Sequence, residues 1–318
     1  MVRTENLGKV FLTGFRMQKV AALKGLNLEV RQGEVFGFLG PNGAGKTTTL
    51  KILMGLIYAT SGKAWIMGKE VGDVSVKHRL GFLPEQPYFY DYLTAMEFLD
   101  FYGRLFGLPR AERESRAKKL LEQVGLAHAG DLQLRKFSKG MLQRIGIAQA
   151  LINDPELVIL DEPMSGLDPI GRKEVRDIIM GLKEKGKTLF FSTHILSDVE
   201  VICDRVAILV KGELKATGTV GELIGGMGVR AVEMTVEGMD EEGMAALKTL
   251  SKNVVTVGRQ SVAFFDDQDK AKQAREMVFK KGGDIVSLIP HKASLEDIFV
   301  EEVRKGEVGG KRGTEARP

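Results

Sequence analysis

The sequence predicts an α/β fold with a mostly parallel sheet covered by helices, followed by a smaller α+β unit. Three continuous apolar runs are typical of strands buried on both faces: Leu157–Leu160, Thr188–Ser192 and Val206–Val210. Helical segments separate these runs, as in a parallel sheet. The chain has 318 residues, of which 43% are apolar, so it is long enough to hold two domains.

The first domain is predicted to span residues 1–220. Its first 85 residues favour short strands and turns, with Leu26–Val30 alternating as a half-buried strand does. Residues 94–150 instead show helical periodicity. Thr94–Phe106 opens with the capping-box pair Thr94 and Glu97, and Arg110–Val124 is charged and amphipathic. We therefore expect a helical subdomain at about residues 87–150.

The second domain is predicted to span residues 221–304. Its strand and helix patterns follow the order βαββαβ of ferredoxin-like units, with a further helix near Leu295–Arg304. The expected segments are strand Val229–Val236, helix Glu241–Leu250, strands Val254–Val257 and Val262–Phe265, helix Asp269–Lys281 and strand Asp284–Ile289. Residues 305–318 are rich in glycine and charge, and we expect a disordered tail there.

Composition excludes several classes of function. The single cysteine, Cys203, cannot form an internal disulfide, and the net charge of +4 is too small to indicate a nucleic-acid partner. No apolar run is long enough to span a membrane, and the charged start of the sequence leads us to expect no secretory signal. The expected location is the cytoplasm.

A glycine-rich loop that ends in Lys-Thr predicts a phosphate-binding site. It follows the apolar run Val35–Leu39, precedes a helix expected at Lys46–Leu56, and matches G-x-x-x-x-G-K-[ST]. Its backbone N–H groups can face the phosphates, Lys46 can reach the β- and γ-phosphates, and Thr47 can offer its hydroxyl to Mg²⁺. ATP or GTP is the expected ligand. The candidate binding residues are Gly40, Asn42, Gly43, Ala44, Gly45, Lys46, Thr47 and Thr48.

Two acidic residues follow the predicted strand Leu157–Leu160. Ligands of open α/β sheets bind at this carboxyl edge. Asp161 is predicted to hold Mg²⁺, and Glu162 to polarise the water that attacks the γ-phosphate. Taken alone, the pair is more often two solvated acids at a strand end; with the phosphate loop, the catalytic interpretation is favoured.

The segment Phe137–Arg144 makes the prediction specific. Its Ser138-Lys139-Gly140 core resembles the signature sequence of ATP-binding-cassette ATPases, and the order of the other motifs matches that family over residues 1–220. Gln86 resembles the family's glutamine loop, Asp168 lies in a segment similar to the D-loop, and His194 resembles the switch histidine. The resemblance implies a P-loop NTPase fold of the RecA-like type.

The resemblance also implies roles for these residues. Two cassettes would pair head to tail around two ATP molecules, with Ser138, Gly140 and Gln143 of one facing the phosphate loop of the other. Gln86 would sense Mg²⁺ and the γ-phosphate, and His194 would contact the γ-phosphate or the attacking water. Asp168 would organise the dimer interface.

The chain departs from the family at the adenine platform. The family places an aromatic residue nearly thirty positions before the lysine, and that count leads to Met17, with Phe15 close by. Methionine can pack on an aromatic face through its sulfur, so Met17 is the predicted base contact. Lys139 and Met141 also replace the family's usual glycine and glutamine.

Aromatic residues cluster after Gln86. In the family this region receives a helix of the membrane subunit, and tyrosines suit such an interface. Packing within the helical subdomain is an equally good explanation. The cluster comprises Tyr88, Phe89, Tyr90, Tyr92 and Tyr102.

The predicted function is the ATP-hydrolysing subunit of an ABC transporter, bound at the cytoplasmic face of the cell membrane to separately encoded membrane subunits. The segment Ser294–Phe299 is similar to the end of bacterial multidrug, antibiotic and sodium exporter ATPases, so export is favoured. One alternative is a cassette ATPase that acts on ribosomes or DNA. Another is a cassette regulated by ligands of its C-terminal domain. The working dimer could pair like or unlike chains.

Overall fold

The computed structural model describes residues 1–14, 17–225, 229–292 and 294–311. The chain divides into two compact units, Met1–Val220 with the segment that begins at Phe299, and Gly221–Ile298. The predicted boundary after residue 220 coincides with this division, whereas the predicted end of the second domain at residue 304 lies beyond Ile298.

Both units contain strands and helices. The strands are β1 Val2–Thr13, β2 Gln18–Val30, β3 Val35–Leu39, β4 Ser61–Ile66, β5 Lys69–Glu70, β6 Leu80–Leu83, β7 Leu157–Asp161, β8 Thr188–Thr193, β9 Arg205–Val210, β10 Glu213–Thr219, β11 Val229–Glu237, β12 Asn253–Val257, β13 Gln260–Phe265 and β14 Asp284–Lys292. The helices are α1 Lys46–Leu53, α2 Ala95–Leu105, α3 Arg110–Gln123, α4 Lys139–Ala150, α5 Pro169–Glu184, α6 Leu196–Ile202, α7 Val220–Gly225, α8 Glu241–Leu250, α9 Gln268–Lys280 and α10 Leu295–Lys311.

A six-stranded sheet forms the centre of the first unit and confirms the predicted α/β class. Its order is β10-β9-β3-β8-β7-β6, parallel throughout except for the antiparallel pair β9 and β10. All residues of β3, β7 and β8 are buried, as their continuous apolar runs indicate. Phe36 and Phe38 both pack against Phe190, with ring centroids 5.6 and 5.5 Å apart.

A second, antiparallel sheet of order β2-β1-β4-β5 holds the N-terminal residues. The prediction of short strands is wrong for β1 and β2, which have 12 and 13 residues, whereas β4 and β5 are short, with 6 and 2 residues. Register shifts between Thr4 and Val10 break the alternation of buried and exposed residues. A search for alternating residues therefore does not detect the full length of β1. In β2 the alternation of Leu26, Leu28 and Val30 toward the core is confirmed.

Helices α2, α3 and α4 lie between β6 and β7, where the helical insertion was predicted. Thr94 caps α2 by accepting from the Glu97 N–H, and the Glu97 carboxylate accepts from the Thr94 N–H, so the capping box is confirmed. Phe98 and Leu99 are buried on the inner face of α2.

The second unit has the predicted βαββαβ order. Its four antiparallel strands are arranged β12-β13-β11-β14, the order expected of a ferredoxin-like unit. Helices α8 and α9 bury Leu247 and Val278 against a core that includes Met234 and Phe265. Asp240 caps α8 by accepting from the Gly243 N–H at 2.7 Å.

Helix α10 extends into the stretch predicted to be a disordered tail. It continues through Lys305 to Lys311, and the Lys305 ammonium pairs with both Glu301 and Glu302 one turn earlier. Such pairs stabilise a helix that composition alone would not favour. The rest of that prediction, residues 312–318, lies outside the described residues. Within the described chain, every helix is too short or too polar to cross a membrane.

Candidate nucleotide-binding site

The glycine-rich loop connects β3 to α1 and is tightly packed from behind. A side chain at Gly40 would meet the Leu209 carbonyl oxygen at 2.5 Å, and one at Gly45 would meet the Ala22 carbonyl oxygen at 2.5 Å. Gly45, at φ 110°, also directly precedes the first residue of α1. Glycine is therefore required at both positions, and the loop presents its backbone N–H groups at a helix N-terminus, where anions are stabilised.

Lys46 is the first residue of α1, and its side chain is only 6% exposed. The ammonium donates to the Gly40 carbonyl oxygen at 2.7 Å and lies 3.1 Å from a Glu162 carboxylate oxygen. Burial makes this ion pair costly to break, because removing one partner leaves an uncompensated charge. The loop therefore holds its lysine folded back beside the phosphate-binding backbone.

Glu162 lies between Lys46 and His194. One oxygen of its carboxylate contacts the Lys46 ammonium, and the other lies 2.9 Å from the His194 Nδ1. The Glu162 side chain is 6% exposed and that of His194 is 43% exposed, so the histidine forms the solvent side of the group. Glu162 also has a left-handed φ of 51°, which costs about 1–3 kcal/mol for a residue other than glycine.

Asp161 is the last residue of β7 and is 1% exposed. Its carboxylate accepts from the Ser192 hydroxyl at 2.5 Å and from the Thr47 hydroxyl at 3.3 Å. Burial raises the pKa of Asp161, while these two hydrogen bonds act in the opposite direction. Thr47 and Asp161 together offer two oxygen ligands, a donor set that fits a Mg²⁺ which takes its other ligands from phosphates and water.

A cavity of about 420 Å³ lies over the loop. Its described lining is Phe11, Ala22, Pro41, Asn42, Gly43, Ala44, Gly45, Lys46, Thr47, Thr48, Glu85 and Glu162. Most of the predicted loop residues are thus brought together with Glu162.

The aromatic residue of this cavity is Phe11, which the sequence argument missed. Met17, the predicted adenine contact, lies outside the lining, is 66% exposed and sits at the hairpin turn before β2. The structure therefore does not support the assignment of Met17. The pairing of β1 with β2 determines which residue lies beside the glycine-rich loop. A count back from the lysine does not take the length of this hairpin into account. Phe15 lies outside the described residues.

Gln86 does not lie at the phosphate cavity, where its predicted contact with Mg²⁺ and the γ-phosphate would place it. It is exposed after the end of β6 and lies outside the lining of the phosphate cavity, whereas its neighbour Glu85 is part of that lining. The geometry therefore gives Gln86 no contact with the phosphate loop in this conformation.

The signature segment begins α4. The Ser138 hydroxyl caps the helix by accepting from the Met141 N–H at 3.3 Å, and the space beside the Gly140 Cα is open. Both residues are accessible and neither lines the cavity of this chain. Gln143, predicted to contact ATP, is buried on the inner face of α4 with 9% exposure, which does not support that contact.

Asp168 begins α5. Its side chain accepts from the Gly171 N–H at 2.8 Å, so Asp168 caps the N-terminus of α5. This structural role is independent of its predicted role at the dimer interface. Lys139 of the signature segment reaches the same region, because its ammonium occupies the space beside the Gly166 Cα. The signature and the segment around Asp168 therefore meet within one chain.

A groove of about 680 Å³ lies on the helical subdomain. Its lining is Tyr90, Tyr92, Leu93, Met96, Glu97, Asp100, Phe101, Arg104, Arg110, Arg113 and Glu114. Tyr90 also packs edge to face on Phe101 at 5.3 Å, so this part of the aromatic cluster takes part in packing within the helical subdomain. Tyr88 and Tyr92 are 80% and 61% exposed.

The charges of the groove are paired with one another. The Asp100 carboxylate accepts from Arg113 at 2.6 Å and from Arg104 at 2.7 Å, and Arg110 donates to Glu114 at 2.9 Å. Burial would raise the pKa of Asp100, but the hydrogen bonds from Arg113 and Arg104 hold it below its ordinary value. The groove therefore combines apolar and aromatic side chains with charges that neutralise one another.

The chain matches known proteins over most of its length. A protein-family model described as "ABC transporter" matches residues 23–165. An uncharacterised ABC transporter ATP-binding protein of Synechocystis is 48% identical over 309 residues, covering 96% of this chain and 85% of that protein. A fluoroquinolones export ATP-binding protein of Mycobacterium tuberculosis is 42% identical over 213 residues, covering 66% of this chain and 69% of that protein.

Solved structures show the same fold. A dimeric ATP-binding cassette in a post-hydrolysis state, bound to ADP and Pi, superposes with a TM-score of 0.63 at 27% identity. The match covers 69% of this chain and 98% of the cassette. The shared part is thus most of this chain and almost all of the solved one.

Proposed function

Since the chain belongs to the family of ABC transporter ATP-binding proteins, we propose that it hydrolyses ATP as one of two paired cassettes and drives export through separate membrane subunits. The observation that carries the proposal is the position of Glu162. Its carboxylate lines the phosphate cavity and is held between the Lys46 ammonium and the His194 ring. A base fixed in this way beside the γ-phosphate position can orient and deprotonate the attacking water.

The other residues of the site bind the phosphates, the attacking water and Mg²⁺. Lys46 and the N–H groups of the loop bind the β- and γ-phosphates, and His194 orients the water or the γ-phosphate from the solvent side. Thr47 and Asp161 would hold Mg²⁺, which supplies charge compensation for the phosphate oxygens. Each of these side chains is positioned by the end of a strand or the start of a helix, so the geometry is set before ATP binds.

The accessibility of the signature segment supports the proposed pairing of two cassettes. Ser138 and Gly140 lie at the start of α4 and are free of the phosphate cavity of their own chain. A helix N-terminus with an accessible hydroxyl is suited to bind the γ-phosphate held by another chain. ATP would then join the two subunits, and hydrolysis would release them.

We propose that Phe11 stacks on the adenine ring. Phe11→Ala should weaken ATP binding by about 1–3 kcal/mol, roughly 5- to 150-fold in Kd, because base–aromatic stacking is lost. Met17→Ala is the matched control and should leave the Kd within about twofold, since that side chain lies outside the cavity. Titration with a fluorescent ATP analogue measures both. A stronger effect at Met17 than at Phe11 would reverse the assignment.

The groove on the helical subdomain is the proposed contact for the membrane subunit. Because its charges are paired internally, its apolar and aromatic residues fit an apolar or aromatic side chain of a short partner helix. Aromatic anchors in such grooves carry much of the binding energy of an interface. The groove would transmit closure of the ATP site to the membrane subunits.

Tyr92→Glu tests this contact. The change places a charge in the lining of the groove, and we expect recovery of a multi-span membrane protein with the purified chain to fall at least about tenfold. Tyr58→Glu alters a tyrosine that is 90% exposed and outside the groove, and recovery should be unchanged. Equal losses for both variants would contradict the proposal, and recovery of the native chain only with ribosomes or DNA would contradict transport altogether.

Export is proposed because a relative that covers 66% of this chain is named as an export ATP-binding protein. Vesicles that contain the co-purified membrane subunit distinguish the direction. ATP added on the side of the cassette should move cargo away from that side, and movement toward it would indicate import.

A further inference from the structure

We propose that Ser192 is a positioning residue that fixes both acidic residues of the ATP site through its single hydroxyl. Ser192 lies in β8 directly opposite Asp161 of β7 and is 0% exposed. The inference rests on the proposed ATPase function, because it assigns Ser192 a part in placing Asp161 and Glu162. In the sequence Ser192 stands out only as the start of Ser192-Thr193-His194.

The Ser192 hydroxyl makes two hydrogen bonds of opposite sense. It donates to the Asp161 carboxylate at 2.5 Å and accepts from the Glu162 backbone N–H at 3.0 Å. A hydroxyl has one proton to donate and lone pairs to accept, so both capacities are used. Since all three residues are buried, water cannot replace either bond without a change in packing.

The bond to Glu162 acts on an unusual backbone. Glu162 has a φ of 51°, a conformation that persists in a residue other than glycine only when surrounding contacts enforce it. Its N–H is shared between the Ser192 hydroxyl and the Ser192 carbonyl oxygen at 3.2 Å. Both acceptors belong to one residue, so Ser192 sets the turn that directs the Glu162 carboxylate toward Lys46 and His194.

The bond to Asp161 acts on the proposed Mg²⁺ ligand. One oxygen of Asp161 accepts from both Ser192 and Thr47, which fixes the orientation of the carboxylate. Partners that orient a metal ligand in this way affect metal affinity or activity by about 10- to 100-fold when they are removed. Ser192 also precedes His194 by two residues on the same strand end, so one residue connects three predicted functional groups.

Ser192→Ala removes the hydroxyl and tests the proposal. We expect the turnover number for ATP to fall about 10- to 100-fold while the Kd for ATP without Mg²⁺ stays within about threefold. Hydrogen exchange of the Glu162 amide, which does not depend on activity, should become faster because one of its two acceptors is lost. Thr188→Val is the matched control, because it removes a fully buried hydroxyl at the opposite end of β8 that accepts from the Gly33 N–H.

The outcomes separate this inference from the proposed function. Turnover above half the native value in Ser192→Ala, or unchanged exchange at Glu162, overturns the role of Ser192 while native hydrolysis stands. A native chain that does not hydrolyse ATP refutes the proposed function, and the exchange measurement still tests the positioning. Should the alanine variant fail to fold, Ser192→Thr keeps the hydroxyl and is expected to retain most turnover. The proposal is overturned if the threonine variant folds and binds ATP with normal affinity but its turnover number falls more than tenfold.

Discussion

Glu162→Gln should reduce steady-state ATP hydrolysis by about 10²- to 10⁴-fold, the contribution typical of a positioned general base. The amide is nearly the same size as the carboxylate, so it can still fill the space between Lys46 and His194. It cannot accept a proton from the attacking water. ATP should therefore bind and remain intact, and the ATP-bound dimer should accumulate.

Two measurements check this expectation. Size-exclusion chromatography with ATP should show a dimer for Glu162→Gln under conditions in which the native chain returns to monomer, and the phosphate-release rate should fall to near background. Glu156→Gln makes the same change at the opposite end of β7, where the carboxylate pairs with Arg79 on the surface, and it should hydrolyse normally. Hydrolysis at near-native rate in Glu162→Gln would remove Glu162 from the role of base.

The strands of the central sheet could be predicted because their residues are buried on both faces. Such strands appear as unbroken apolar runs, and Leu157–Leu160 matches β7 except for the added Asp161. The loop was equally clear, since its glycines and Lys46 stand at a fixed spacing between β3 and α1. Features that depend on neighbouring positions in the chain were therefore found from the sequence.

Features that depend on the approach of distant segments were not found. Phe11 reaches the phosphate cavity because of the register of β1 against β2, and no local pattern records that register. Ser192 is 31 positions from Asp161 and meets it only because β7 and β8 are adjacent. The predicted contact between Gln143 and ATP is not supported either, because Gln143 lies on the buried face of α4. The sequence does not say which face of that helix packs inward.

Lys46→Ala should weaken ATP binding by about 2–4 kcal/mol, roughly 30- to 700-fold in Kd. The buried ammonium lines the cavity in which the β- and γ-phosphates are expected, and it is held there by the Gly40 carbonyl oxygen. Its loss removes charge-assisted hydrogen bonds to the phosphates. It also leaves the Glu162 carboxylate without its cation, so a negative charge then faces the phosphate site.

This second effect gives a way to distinguish the role of Lys46 from a general loss of structure. If charge at the phosphate site decides affinity, the double variant Lys46→Ala with Glu162→Gln should bind ATP more tightly than Lys46→Ala alone, because the uncompensated carboxylate is gone. Lys51→Ala, on the exposed face of the same helix, should bind ATP as the native chain does. Unchanged affinity in Lys46→Ala, with thermal unfolding showing a folded protein, would refute the proposed contact between Lys46 and the phosphates.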